Sequence, residues 1–461
     1  MKSLVSLART RLAQGTAAGF YGLGVQLLVQ LVSVPVLVHS WGLAGYGAWV
    51  MLFSVPSLLA MADLGLTTAG SNAMTAVAAQ GNREHAARIH MAVRLITALT
   101  GLILLVLAVL FIFVTNPHSL DFGAALPRAA AQWTALVLCL YGFLALVNGV
   151  TLGAFRAADA FASSGMIYQT VILIEAALAL VVAILGGAPL AVAGAYLAAR
   201  LVGTLVLTLA LRRTAPWLSA TGWRIDLAEV RALVRPALAA LVLPGAYAVA
   251  VQGSVVAIGA VAGPAAVPAF SVVRTLSRTA LQFAFRFNVA SMPRYTVHVA
   301  QGNRQRASQL VVLNLALAAA LVIPAAVGLV ALGRPFIALW TGALLVPSWS
   351  LLIAMALAML ANAAWVPLSN LVMTINRHGL FAYHFLASAV AAVALGAVLA
   401  QTMGALGMAW ALLAMEAVMI LRTWQVAHQL GMLDRGELAE AWQGLTAELR
   451  MRLSSLKNRA P

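Results

Sequence analysis

The chain has 461 residues, of which 63% are apolar and only 9% charged. A soluble domain is about half apolar and about a quarter charged, so this chain lacks the polar surface to cover itself in water. Its net charge of +16 would suggest nucleic acid in a soluble protein, but no basic domain stands apart from the apolar runs, and a nucleic-acid partner is excluded.

The amino terminus carries Lys2, Arg9 and Arg11 ahead of a long apolar run with no convincing small-residue cleavage site after it. It reads as an uncleaved first span rather than a signal peptide. About 20 mostly apolar residues cross a bilayer. The sequence offers about twelve such stretches, at 17–38, 46–66, 92–115, 131–153, 166–186, 189–210, 237–259, 268–290, 309–332, 348–374, 380–400 and 404–425. The expected fold class is therefore all-α integral membrane. The gaps between spans alternate in charge. The even-numbered gaps and both termini, with the adjoining span ends at Arg94 and Arg422, hold 22 of the 28 basic residues, while the odd-numbered gaps hold only Arg128 and Arg334. Lys and Arg concentrate on the cytoplasmic side, so both termini are expected in the cytoplasm. One missed span would reverse the alternation downstream, so the pattern also supports the span count.

The longest cytoplasmic gap contains Arg212-Arg213, Pro216, Trp217 and Trp223. Six spans precede it and six follow. The expected organisation is a six-helix lobe over 1–213, a linker over 214–236, a second six-helix lobe over 237–428 and a cytoplasmic tail over 429–461. Leu433, Leu438, Trp442, Leu445, Leu449 and Leu453 recur at helical spacing among charges in that tail, which suits an amphipathic helix on the inner leaflet. A solvated tail is the alternative.

The halves share local sequence. Gln80-Gly81-Asn82-Arg83 follows the second span, and Gln301-Gly302-Asn303-Arg304 follows the eighth. At the same separation Gly42 corresponds to Gly263, each in the gap before those spans. Both tetrapeptides fall on the same side, which predicts parallel lobes related by an axis along the membrane normal, with a binding cavity between them.

Charge inside a span is the sharpest functional signal. Each central ionised group costs roughly 2.5–3.5 kcal/mol on insertion scales, so it is expected to face a cavity or a partner. The eighth span carries Arg274, Arg278, Gln282 and Arg286 at four-residue spacing, which places them on one helical stripe about 18 Å long. Phe283, Phe285 and Phe287 flank its inner half. A water-filled cavity that binds an anion fits this stripe, because the guanidinium fork grips phosphate with two hydrogen bonds. The competing reading pairs these arginines with Asp63, Glu175 or Glu416, the three acids within spans. Those acids are candidates for the cavity or for ion coupling, since a buried carboxyl can take up a proton. A structural hydrogen bond is an equal alternative for Glu175 and Glu416, and an interfacial charge for Asp63. Gln26, Gln30 and Gln252 are further candidate cavity residues.

Enzyme signatures are absent. The sequence has no phosphate-binding glycine loop, no nucleophile elbow and no metal-ligand spacing, and no cofactor or metal is expected. The outer gaps are too short for the acid-bearing loop a membrane polymerase would present. Cys139 is the only cysteine, so no intramolecular disulfide forms.

Val38-His39-Ser40-Trp41-Gly42-Leu43-Ala44-Gly45-Tyr46-Gly47-Ala48-Trp49, followed by Ala62-Asp63-Leu64-Gly65-Leu66, resembles the polysaccharide-transporter branch of the multidrug/oligosaccharidyl-lipid/polysaccharide (MOP) superfamily. Trp41-Gly42 replaces the Leu-Gly dipeptide of that motif, and the likeness in topology covers nearly the whole chain. The resemblance implies a V-shaped, two-lobed MATE-like transporter of the bacterial inner membrane, with spans one, two, seven and eight lining a central cavity. Its implied cargo is an oligosaccharide on an undecaprenyl diphosphate carrier, moved from the inner to the outer leaflet by alternating access. Polysaccharide polymerase and assembly proteins are the implied partners. The stripe at Arg274, Arg278 and Arg286 matches an anionic diphosphate, whereas span two offers only Asp63. Two other readings stand beside it: an ion-coupled exporter of drugs or small molecules on the same fold, and a non-transporting scaffold of a polysaccharide assembly complex.

Overall fold

The computed structural model describes residues 2–62, 64–115, 122–218, 241–301, 303–374, 377, 379–430 and 443. All regular structure among them is helical. Twelve long helices lie among the described residues: α1 (Lys2–Ala62), α2 (Leu64–Ala79), α3 (Arg83–Leu110), α4 (Arg128–Ala157), α5 (Phe161–Ile184), α6 (Pro189–Thr214), α7 (Leu241–Ala262), α8 (Val267–Ala300), α9 (Arg304–Trp340), α10 (Trp349–Thr374), α11 (Gly379–Met403) and α12 (Ala405–Gln429). Ten stretches among the described residues are long and apolar enough to cross a membrane, and the chain is a multi-pass membrane protein.

Each of the twelve expected spans has a helical counterpart, and two of them explain the difference between ten and twelve. Gly42 interrupts α1 with φ 68° and ψ 177°, so that this one long run holds the first two expected spans on either side of a kink. The eighth expected span is α8, which is 34 residues long but carries Arg274, Arg278 and Arg286, and so falls below the apolarity of the others. Outward-facing apolar residues on α3, among them Leu102, Ile103, Val106 and Leu107, are about half exposed. Such a surface suits hydrocarbon rather than water.

The internal repeat has a physical basis at both pairs of positions. Gly263 ends α7 with φ 82° and ψ 163°, close to the values at Gly42. This backbone region is essentially closed to residues with a β-carbon. Each half therefore breaks its helical path on a glycine, 221 residues apart (263 − 42). The repeated tetrapeptide supplies helix caps. Asn82 Oδ1 accepts from the His85 backbone N–H at 3.0 Å, and Asn303 Oδ1 accepts from the Arg306 N–H at 3.1 Å. Each satisfies an otherwise orphaned N–H at a helix start.

The chain forms two compact units: residues 1–268 with 340–345, and residues 269–339 with 346–461. In the first, α5 packs on α1 and α6, and α4 on α1, α2, α3 and α6. The motif residues near Gly42 do packing work here. Trp41 Nε1 donates to the Gly187 carbonyl oxygen at 3.0 Å, and its ring lies 5.4 Å from Trp49. A β-carbon at Gly47 would lie 1.9 Å from the Pro264 carbonyl oxygen. In the second unit, α12 packs on α10 and α11. The expected linker from residue 219 onward, and the amphipathic tail apart from 429, 430 and 443, lie outside the described residues, as does Asp63.

Candidate functional site

The arginine stripe lies on α8, in the second unit. Arg274 and Arg278 are half-buried, and Arg286 is exposed. The Arg274 guanidinium sits 5.1 Å from the centre of the buried Phe270 ring, one turn away. Helical spacing of four residues brings each successive side chain onto nearly the same face, so the local geometry follows directly from sequence. Gln282 is half-buried, and its Oε1 finds no hydrogen-bond partner among the described residues. Phe283 and Phe285 are partly exposed beside it. Buried Asn288, further along α8, has neither amide atom bonded among the described residues. Guanidinium groups, an unbonded amide oxygen and aromatic edges on one helix can hold an anion and polar groups attached to it. Also on α8, an apolar cavity of about 220 Å³ is lined by Leu276, Ala280, Ala325, Gly328, Leu332 and Phe336. It carries no charged lining and is distinct in character from the stripe.

The two described membrane acids do not bond to α8. Glu175 of α5 is 1% exposed, and its Oε2 accepts from Arg200 Nη2 of α6 at 2.7 Å and from the Tyr141 hydroxyl of α4 at 3.2 Å. Arg200 also donates to the Tyr168 hydroxyl at 3.1 Å and to that of Tyr141. Its guanidinium lies 4.5 Å from the Tyr141 ring centre. Glu175 is thus one member of a buried ion pair with an aromatic surround, to which Tyr196 adds a ring 5.6 Å from Tyr141.

Glu416 of α12 is also buried. Asn362 Nδ2 of α10 donates to both of its oxygens at 3.1 Å, and Trp365 Nε1 donates to Oε2 at 2.5 Å. These donors are neutral. Gln26 and Gln30 are half-buried on α1, one turn apart. Gln252 is half-buried within a π-helical turn, Val249–Gly253, of α7. Such turns widen a helix locally and recur at functional sites. Among the described residues, no group of three His, Cys, Asp or Glu side chains is placed to hold a metal ion.

Arg200, Tyr141 and Trp365 were not singled out by charge and spacing alone.

The fold defines a class: a polytopic protein whose described regular structure is all helical. It is the fold of MOP-superfamily membrane transporters. A multidrug-resistance MATE transporter of that superfamily in its inward-facing conformation superposes with a TM-score of 0.65 at 15% identity, over 94% of this chain and 99% of the other. A MOP-superfamily transporter from Pyrococcus furiosus, described by the reverse polarity of its binding pocket, gives 0.62 at 16% identity over 97% and 96%. The lipid II flippase MurJ, in an inward closed conformation, gives 0.61 at 14% identity over 97% and 93%. The sequence matches no family model and no curated protein.

Proposed function

We propose that this chain is a transporter of the bacterial cytoplasmic membrane, with both termini inside, that flips a polyprenyl-diphosphate-linked oligosaccharide from the inner to the outer leaflet by alternating access. The flipped unit would feed surface polysaccharide synthesis, with polymerase and assembly proteins as partners. The observation that carries this reading is the stripe of Arg274, Arg278 and Arg286 with Gln282 on α8. Three guanidinium groups on one membrane helix select for an anion, and a diphosphate offers paired oxygens to the fork. MurJ, similar in fold, is a flippase of a lipid, and the Pyrococcus furiosus transporter is a precedent for a changed pocket polarity within the superfamily.

Export of drugs is the second reading, favoured by the fold shared with multidrug transporters. A stripe of positive charge stands against it for cationic drugs, which would need acids. The deciding experiment measures flipping of a fluorescent undecaprenyl-diphosphate glycan in proteoliposomes. Arg274→Ala, Arg278→Ala and Arg286→Ala proteins, each confirmed folded, are expected to fall by about tenfold or more, since a hydrogen bond to a charged group is worth about 1.5–3 kcal/mol. Wild-type rates in all three would remove the arginines from substrate binding. Absence of flipping by the wild type would remove the cargo.

A further inference from the structure

The second unit holds a carboxyl whose neighbours can accommodate two charge states. Glu416 lies mid-way along α12 with 9% exposure. Its hydrogen bonds among the described residues come only from Asn362 Nδ2 and Trp365 Nε1. Trp365 is itself buried, with its ring 5.3 Å from Phe385 of α11. No titratable or charged residue occurs on α10. On α11 the titratable side chains are Tyr383 and His384, both exposed. On α12 itself, Arg422 donates to the Leu380 carbonyl oxygen, and His428 is exposed at the helix end. Near that end Ala427 packs with Tyr295, whose hydroxyl accepts from Asn314. No counter-charge among the described residues therefore faces Glu416.

A buried carboxylate without a counter-charge costs several kcal/mol, and uptake of a proton removes that cost. The donor set discriminates between a proton and a metal cation. An indole N–H is donor only, so Trp365 presents positive charge to the oxygen that a metal ion would need. Asn362 has both a donor and an acceptor on its amide. With its NH2 toward Glu416 it serves the carboxylate. Turned over, its Oδ1 accepts the O–H of the carboxylic acid, while Trp365 still donates to the other oxygen. One rotation of one amide satisfies both states.

We infer that Glu416 is a reversible proton-binding site, and that a proton rather than a metal cation drives the transport proposed above. The proton would come from water on one side of the membrane and leave to water on the other, with no other bond changing. The coupling role rests on the transport reading; the binding of a proton does not.

The test is infrared difference spectroscopy of the full-length protein in lipid, titrated with pH, without cargo. A carboxylic-acid carbonyl band is expected to fall as pH rises, to be absent from Glu416→Gln, and to be unchanged when potassium is replaced by sodium at fixed pH. A band that survives in Glu416→Gln, or that sodium abolishes at fixed pH, overturns the inference. Trp365→Phe keeps an aromatic side chain and removes one donor to the carboxylate, so its band should persist to higher pH. An unshifted titration in that variant would also overturn the inference, whether or not Glu416→Gln folds. Flipping under an imposed pH gradient is measured separately. A wild type that titrates but does not flip the glycan has lost the proposed cargo and kept the proton site; a gradient-driven rate retained in Glu416→Gln overturns the coupling role.

Discussion

In the first half of the chain, Glu175 of α5 meets Arg200 of α6 at 2.7 Å. In the second, Glu416 of α12 meets, among the described residues, Asn362 and Trp365 of α10. Among the described residues each half buries a membrane carboxyl, and the two are held in different ways. A buried pair is locked: each ion needs the other, and a proton on Glu175 would strand Arg200. A carboxyl among neutral donors has no such tie, and that difference underlies the proton site proposed at Glu416. The comparison teaches that a buried acid in a membrane helix is a functional candidate only once its partners are known. The two carboxyls do not share a repeat position, since 221 residues beyond Glu175 the chain has Gly396, so each must be read from its own neighbours.

The largest effect that could break this comparison is at Arg200. Arg200→Met leaves Glu175 buried without its cation and is expected to lower stability by about 3–5 kcal/mol, while the double variant Glu175→Leu/Arg200→Met recovers most of it. Equilibrium unfolding in detergent measures both. The same experiment on Glu416→Gln should move stability by about 1 kcal/mol, the scale of one neutral hydrogen bond. Equal costs at the two sites would mean that the carboxyls are held alike.

Smaller effects sharpen the comparison by testing where the halves agree. Gly42→Ala and Gly263→Ala each force a β-carbon into a backbone region reserved for glycine, at a cost of about 1–3 kcal/mol. Matching losses are expected, because the two dihedral pairs are close. A tolerated substitution at one position alone would show that the helix break is needed in only one half. The smallest effect is at the caps. Asn82→Ala and Asn303→Ala should each cost about 1 kcal/mol, and hydrogen exchange at the first turns of α3 and α9 would localise the loss.

Much of the architecture was legible in the sequence. Apolar runs of bilayer length and a repeated tetrapeptide each report a local property, and each has a counterpart in a helix or a cap. The Arg274–Arg286 stripe was legible for the same reason, since the helical period alone puts side chains four residues apart on one face. The repeated Gln-Gly-Asn-Arg segment was readable as a repeat, although its physical reason, an asparagine capping each following helix, emerged only from the hydrogen bonds.

The sequence by itself determined which segments are helices, because hydrophobic length and glycine or asparagine breaks act along the chain. It also determined which ionisable groups lie within those helices. Only the tertiary structure decided what those groups mean. Arg200 and Glu175 are 25 residues apart on different helices, and Glu416 and Trp365 are 51 apart. The meeting of such groups depends on helix rotation and packing, which no period in the sequence encodes. That is why Glu175 and Glu416 read alike as letters and differ in the folded chain: burial is common to both, and the counter-charge belongs to one.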